Sequence, residues 1–281
     1  MKISEINIYP VKALKRTSLQ RAVAEERGFA GDRRFMLVDQ NGDLVTQRQI
    51  PALATSSALL HENTLEVLAE GAQSITIGSD FDESANIKVR VWDSVCDALL
   101  ADDLINKWFS ETFGSDLRLV KMPDSTRRRV NEKFNAGDDI VSFADGYPIL
   151  VICEASLADL NSRLDEKIPM DRFRPNIVVS GGEAYEEDSW RRIKIGGAVF
   201  RGVKPCARCV VTTVDQKTGV FRGKEPLKTL ATYRKPADLY PISSEEMGFG
   251  KNDVLFGMYL VADNFGEAIS VGDDVEILKR G

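Results

Sequence analysis

The sequence predicts a mainly β protein of the α+β class, built as two β-barrel-like units with a few peripheral helices. Three observations carry the expectation: short alternating apolar segments broken by turn formers fill the first ninety residues, helical periodicity surfaces in two places, and strand-like runs resume after the second of them.

Ile3, Ile6 and Ile8 mark the first segment, within MKISEINIYPVK. Arg34 to Val38, the turn Asn41-Gly42, Leu44 to Thr46, Leu65 to Leu68 and Ser74 to Ile77 continue the series, as an antiparallel sheet or barrel requires. Between Ala98 and Gly114 the period changes: Leu104, Ile105, Trp108, Phe109 and Phe113 fall at helical intervals, and Gly114 is placed to end the helix. Met122 to Gly137 is polar, charged and without period, so it reads as a linker, with one unit at 1–121 and another at 122–281. Ser156 and Asp159 form a candidate capping box for a second helix, with Leu157, Leu160 and Leu164 on one face. Strands are then expected at Ile177 to Ser180, closed by Gly181-Gly182, and in a hairpin from Ile193 and Ile195 through Gly196-Gly197 to Val199. Val210 to Val214, Met258 to Ala262, Ala268 to Val271 and Val275 to Leu278 complete the set.

A chain of 281 residues with 43% hydrophobic and 28% charged residues is long enough to bury a substantial core. Its first dozen residues lack the unbroken apolar stretch of a signal peptide and no segment reaches membrane-spanning length, so the expected address is the cytoplasm. A net charge of −6 argues against nucleic acid as the main partner and disfavours membrane adhesion. The one basic run, Arg127 to Arg129, reads as a solvated loop. Four cysteines, Cys96, Cys153, Cys206 and Cys209, are too sparse for a disulfide framework, which leaves redox or metal chemistry as their use.

Cys206-Ala207-Arg208-Cys209 is a CxxC motif with competing readings. A redox pair of the thioredoxin type needs a helix N-terminus to stabilise its thiolate, whereas β-branched residues follow here. A structural zinc site needs four ligands, and the chain has no second CxxC and one histidine, His61, which reads as a surface or packing residue. A single thiolate on a cofactor metal is the third reading, with Lys204 and Arg208 as neighbouring cations; two buried structural cysteines are the fourth.

The company of the motif separates these readings. NIVVSG from Asn176, EEDSWRRIKIGGAVF, KPCARCVVTTVDQKTG, KEPLKTLATYR and FGMYLVADNFGEAISVGDDVEIL resemble the MOSC domain, named for the C-terminal domain of molybdenum-cofactor sulfurases. YPVK at Tyr9 to Lys12, GDRRFMLVD at Gly31 to Asp39 and TQRQIP at Thr46 to Pro51 resemble the β-barrel domain that precedes it in the amidoxime-reducing-component branch. The resemblance implies a mononuclear molybdenum held by a pyranopterin dithiolene (molybdopterin) and by one protein cysteine, here Cys209 as metal ligand and catalytic residue, with Cys206 beside it. It also implies cofactor contacts from Lys12 and Arg33 in the first unit and from Gly146, Tyr147, Arg174, Asn176, Ala207 and Arg208 in the second. Ala13, Gly146-Tyr147 and Ala207 depart from the hydroxyl residues frequent in relatives, so contacts there fall to backbone or phenol.

By the same resemblance the chain reduces N-hydroxylated substrates such as amidoximes and hydroxylamines, a detoxifying chemistry. No cysteine cluster with iron–sulfur spacing is present, so electrons are expected from a separate reductase or ferredoxin-like donor: an external iron–sulfur, haem or flavin carrier. The rival reading is a non-catalytic carrier of the molybdenum cofactor or of persulfide sulfur on Cys209. A full sulfurase would need a large pyridoxal-phosphate domain that this chain lacks.

Overall fold

The computed structural model describes residues 1–130, 137–240 and 248–281. Strands dominate and helices are short and peripheral, which places the chain in the mainly β part of the α+β class. Eight strands make the largest sheet, in the spatial order Thr17–Leu19, Lys2–Ile8, Ile177–Ser180, Ile149–Cys153, Leu255–Ala262, Ala198–Ala207, Trp190–Ile195 and Val275–Arg280. All its pairings are antiparallel except that of Ile149–Cys153 with Ile177–Ser180, the two being joined through the helix Glu154–Ser162 as a crossover. The sheet curls until its first strand meets the turn before its last: Lys2 bridges Asp274, and the Ile3 amide donates to the Asp273 carbonyl at 2.9 Å. Ile3, Ile6, Trp190, Phe200, Met258 and Leu260 fill the concave side.

The strands of the front half form a four-stranded sheet (Phe35–Val38, Arg118–Lys121, Ser94–Leu100, Asn86–Val91) and a separate three-stranded one (Ser57–Leu60, Thr64–Leu68, Ile75–Gly78). One curled sheet therefore matches the barrel expectation; the front half carries two smaller sheets around Leu14, Phe35, Leu53, Phe109 and Leu119. The halves interleave, since Lys2–Ile8 lies in the large sheet and Arg21–Glu25 pairs with Ala268–Ser270. A site at the seam is thereby held by backbone hydrogen bonds from both ends of the chain.

Several elements follow their sequence signals. The first helix is Asp103–Phe113: the Asp102 carboxylate accepts the Ile105 amide at its start and Gly114 takes φ +62° at its end. Ile105 and Phe109 are buried, whereas Leu104, counted with them on periodicity, is 79% exposed. Gly42 turns at φ +79°, and a Cβ there would stand 2.7 Å from the Lys88 carbonyl oxygen, so the Asn41-Gly42 turn needs glycine on both counts. The predicted hairpin pairs Ile193 with Phe200 and Ile195 with Ala198.

Three expectations are corrected. Val210–Thr213 is a 3₁₀ turn, and the strand is confined to Val214–Asp215. The Thr212 hydroxyl donates to the Cys209 carbonyl at 2.9 Å and that of Thr213 to the Val210 carbonyl at 2.8 Å; this local bonding overrides β propensity. The second helix begins at Glu154 after Cys153, so Ser156 is no cap. Its hydroxyl instead donates to the buried Glu187 carboxylate at 2.8 Å. Finally, the basic run is not uniformly solvated: Arg127 and Arg129 make exposed ion pairs, but Arg128 is buried. Of the proposed linker, 131–136 lie outside the described residues.

Glu187 makes stability depend on pH. Burial raises its carboxyl from 4.5 to about 7, and Asp188 adds to the shift. Between those values the folded chain holds a proton that the unfolded chain releases, so stability falls as pH rises from about 4.5 to about 7 and is level beyond. Glu187→Gln should flatten that slope, whose full span is at most ~3 kcal/mol. Urea midpoints at pH 5 and pH 8 read it directly, and an unchanged slope in the variant would exclude Glu187 as the cause.

Candidate cofactor cleft

A half-open cleft lies at the seam, lined by residues of both halves. Lys12, Ala13, Arg33, Thr46, Gln47 and Arg48 line it from the front half. Ala144, Asp145, Tyr147, Phe173, Arg174, Asn176, Cys206, Ala207, Arg208, Cys209 and Tyr259 are among those lining it from the rear half. Every site residue expected from the sequence is in this wall except Gly146, which sits between its lining neighbours Asp145 and Tyr147.

Backbone geometry aims several of these side chains. Arg33 and Arg174 hold the left-handed conformation at φ +50° and +57°, and Ala13 does so at φ +73°. Non-glycine residues rarely adopt it, and three of the five that do among the described residues line one cleft. Arg33 is fixed by its amide on the Tyr9 carbonyl (2.9 Å) and by its carbonyl under the Phe143 amide (3.0 Å). Its guanidinium pairs with the buried Asp32 carboxylate and donates to Asn176 Oδ1 at 3.0 Å. Arg33 and Arg174 both lie over the Tyr9 ring, at 4.4 and 4.2 Å from its centroid. Burial pushes the Tyr9 phenol to about 12, against the pull of both cations, so the ring stays neutral.

Asn176 is an anchor. Its side-chain oxygen accepts from Arg33 and from the Leu150 amide (3.2 Å) and its amide donates to the Asn7 carbonyl (3.0 Å), tying three elements together behind Arg33. Lys12 is buried and its ammonium donates to Asp145 at 2.6 Å. Burial lowers the ammonium to about 8, opposed by Asp145. Desolvation would raise the Asp145 carboxyl, but the Lys12 charge and hydrogen bond and the Trp92 N–H (3.0 Å) outweigh it and hold it below the usual carboxylate range. Burial lowers the Arg174 guanidinium to about 10.

The two cysteines differ. Cys206 is buried, burial raises its thiol, and its sulfur accepts from Arg208 Nη1 at 2.9 Å. Cys209 is partly exposed at the cleft wall. Arg208 also donates from Nη2 to the Phe173 carbonyl at 2.6 Å, which leaves its buried Nε without a partner among the described residues. His61 is exposed and 3.6 Å from Glu66, as a surface residue should be, and is not among the residues that line the cleft.

Sequence reasoning missed the residues that hold the site in place. Asp145 and Trp92 carry no motif signal, and Arg128 was read as solvated. Arg128 in fact donates to the carbonyls of Ser142 (2.8 Å), Ala144 (2.7 Å) and Asp145 (2.7 Å), fixing the loop that presents Asp145 to Lys12. Gln47 joins the halves: its amide donates to the Ala13 carbonyl at 2.6 Å, and Gln216 donates to its oxygen at 2.9 Å. TQRQIP had been quoted as a motif; the burial of its Gln47 was the part invisible in the sequence.

Comparison with known proteins agrees with this geometry. Residues 138–276 match the MOSC domain model and residues 1–116 the MOSC N-terminal beta barrel domain. The mitochondrial amidoxime-reducing component 1 of Homo sapiens is 35% identical over 286 residues, covering 98% of this chain and 82% of the relative. The chain belongs to the amidoxime-reducing-component family of MOSC-domain proteins. The component 2 protein of Bos taurus is 34% identical, covering 97% and 82%, and the component 1 protein of Xenopus laevis is 32% identical, covering 99% and 82%. These relatives are mitochondrial by name, which overturns the cytoplasmic expectation. Composition and hydropathy are blind to an organelle address, which is read by receptors and not by the physics of the folded domain.

Proposed function

We propose that this chain is a molybdenum-cofactor-dependent oxidoreductase that reduces N-hydroxylated compounds and draws its electrons from a separate iron–sulfur, haem or flavin carrier. The observation that supports it best is a cleft in which one partly exposed thiol, Cys209, faces a wall carrying Lys12, Arg33, Arg174 and Arg208. The donor set suits a group that brings its own ligands: among the described residues no three His, Cys, Asp or Glu side chains are grouped to hold a bare metal ion. A pterin that supplies two sulfurs needs one protein thiolate, and its phosphate and polar ring edge need cations and N–H donors. Arg174, whose guanidinium makes a weak 3.4 Å bond to Gln216, and Arg208, with its Nε unpartnered among the described residues, have donors to offer.

Cys209 would hold the metal, with Lys12, Arg33, Arg174 and Arg208, and the backbone at Gly146, Tyr147 and Ala207, around the pterin. When bound, the cofactor supplies the two-electron step that removes oxygen from an N–O bond, so that R–NHOH, two electrons and two protons give R–NH₂ and water. The protein's own part is positional. Asp145 fixes Lys12, Asp32 and Asn176 fix Arg33, and the Tyr9 ring supports both arginines, so no cation must reorganise when an anion arrives. Residues 1–121 and 122–281 act in this reading as two barrel-like units, with the cofactor between them.

The test is protein made in a cofactor-competent host and in one unable to make the pterin. Molybdenum and pterin should co-purify from the first alone, and only that protein should reduce an amidoxime to its amidine with reduced viologen. Cofactor-loaded protein inert towards amidoximes and hydroxylamines would overturn the catalytic reading.

A further inference from the structure

The charge of this chain is unevenly spread, and the segment that runs on from Cys209 is basic. Residues 204–235 contain eight Lys or Arg and two Asp or Glu, in a chain whose net charge is −6. Lys217, Arg222, Lys224 and Lys228 are exposed, and Lys217, Lys224 and Lys228 form no ion pair among the described residues. The same segment leaves apolar side chains open among these charges: Val210 is 40%, Val220 54% and Phe221 40% exposed. Val220 and Phe221 are neighbours in one strand, so their side chains stand on opposite faces of the hairpin and each leaves apolar surface open beside the lysines.

The fold ties this patch to the thiol. Val210 follows Cys209 directly, the Thr213 hydroxyl donates to the Val210 carbonyl at 2.8 Å, and the Arg222 amide donates to the Thr213 carbonyl at 2.8 Å. Phe221 pairs with Val214 and Val220 with Asp215, while the helical turn Leu227–Leu230 packs on Val210–Thr213. The segment that carries these lysines and apolar residues is thus tied by backbone hydrogen bonds and packing to the turn that follows Cys209. Gly219, at φ +64°, lets the hairpin lie against Pro51 and Ala52 of the front half, which holds its tip in place.

We infer that this surface docks a small acidic electron-carrier protein, the donor that the proposed function requires. The inference rests on that function, and the occupant follows from charge. A basic segment on an acidic protein attracts an acidic partner and disfavours the same segment of a second copy, because like charges would meet there. A few open apolar side chains among exposed lysines suit a transient redox encounter, in which steering sets the rate and weak apolar contact permits release after each electron. Its place beside Cys209 shortens the electron's path to the metal that this thiolate would hold.

The experiment uses cofactor-loaded protein, reduced plant-type ferredoxin as the acidic probe carrier and an amidoxime as acceptor. Lys217→Glu, Lys224→Glu and Lys228→Glu are combined in one variant; Val220→Ser and Phe221→Ser form a second. Carrier-driven kcat/KM should fall at least tenfold in the first, with the steep ionic-strength dependence of the wild type abolished. It should fall severalfold in the second with that dependence kept. Viologen-driven turnover and thermal midpoints should be unchanged or, for cationic viologen at the reversed surface, turnover should rise. Wild-type protein that takes no electrons from ferredoxin at low salt, or a charge-reversed variant that takes them as fast as wild type, would overturn the docking assignment. Absence of viologen-driven turnover in the wild type would instead overturn the function on which it rests.

Discussion

Cys209→Ser is expected to lose amidoxime reduction by more than about 100-fold with a chemical reductant, because a hydroxyl is a far poorer ligand than a thiolate for a soft metal and even indirect ligand-shell changes cost 10–100-fold. Cys206→Ser is expected to keep most of its activity and lose about 1–2 kcal/mol of stability. The structure gives this asymmetry a basis: Cys206 is buried and already serves as an acceptor for Arg208, whereas Cys209 stands partly exposed in the cleft wall. A serine at 206 can still accept from Arg208, so the bond that helps hold the guanidinium persists in weaker form. The pair must be scored on both activity and molybdenum content. Equal loss in the two variants at full molybdenum content would sink the single-ligand assignment, and an active Cys209→Ser enzyme would remove the metal from this residue.

The elements legible in the sequence were those whose signal is local. Ile105, Phe109 and Gly114 state a helix by apolar face and stop within ten residues, and the structure adds Asp102 as its cap. The 193–200 hairpin and the Asn41-Gly42 turn are similar, since glycine answers a backbone demand at the position itself. What failed was decided at long range. Ser156 looked like a cap because its partner Glu187, 31 residues away, cannot be seen from its neighbours. Val210–Thr213 carried β propensity, but threonine hydroxyls bonded back to carbonyls three residues earlier turned it into 3₁₀ structure. That error bears on the argument about the CxxC, which had set aside a redox pair because a strand should follow. A four-residue 3₁₀ turn follows instead; the stronger distinction is the unequal exposure of the two sulfurs.

The site shows the same division. Motifs that resemble a known family placed Lys12, Arg33, Arg174 and Cys209 in one wall, although composition says nothing of their proximity. The supporting residues, buried Asp32, Gln47 and Arg128 and the exposed Asp145, were silent because an isolated polar or charged residue in a sequence is solvated far more often than it braces a site. Their function is to meet the demands of buried polar and charged groups around them, a property of the assembled seam and not of any segment.

Arg33 and Asp32 are where that support can be separated from cofactor binding. The Asp32 side chain is wholly buried and that of Arg33 is 12% exposed, so Arg33→Ala strands a carboxylate that retains the Tyr9 amide at 2.7 Å but no cation. Removing one member of a buried ion pair costs about 3–5 kcal/mol, a large share of the stability of an ordinary domain. Asp32→Asn alone keeps an acceptor for the Tyr9 amide but leaves Arg33 uncompensated next to Arg174, so it too should destabilise. The double variant Asp32→Asn/Arg33→Ala removes both charges, and its urea midpoint should recover to give a coupling of about 1–3 kcal/mol between the sites. Molybdenum and pterin content should not recover with it, because the cation lost from the wall is still missing. Recovery of cofactor content along with stability would make Arg33 purely structural. A double variant no more stable than Arg33→Ala would show that the buried carboxylate was never the source of the loss, and that contacts to Asn176 and the Tyr9 ring carry it instead.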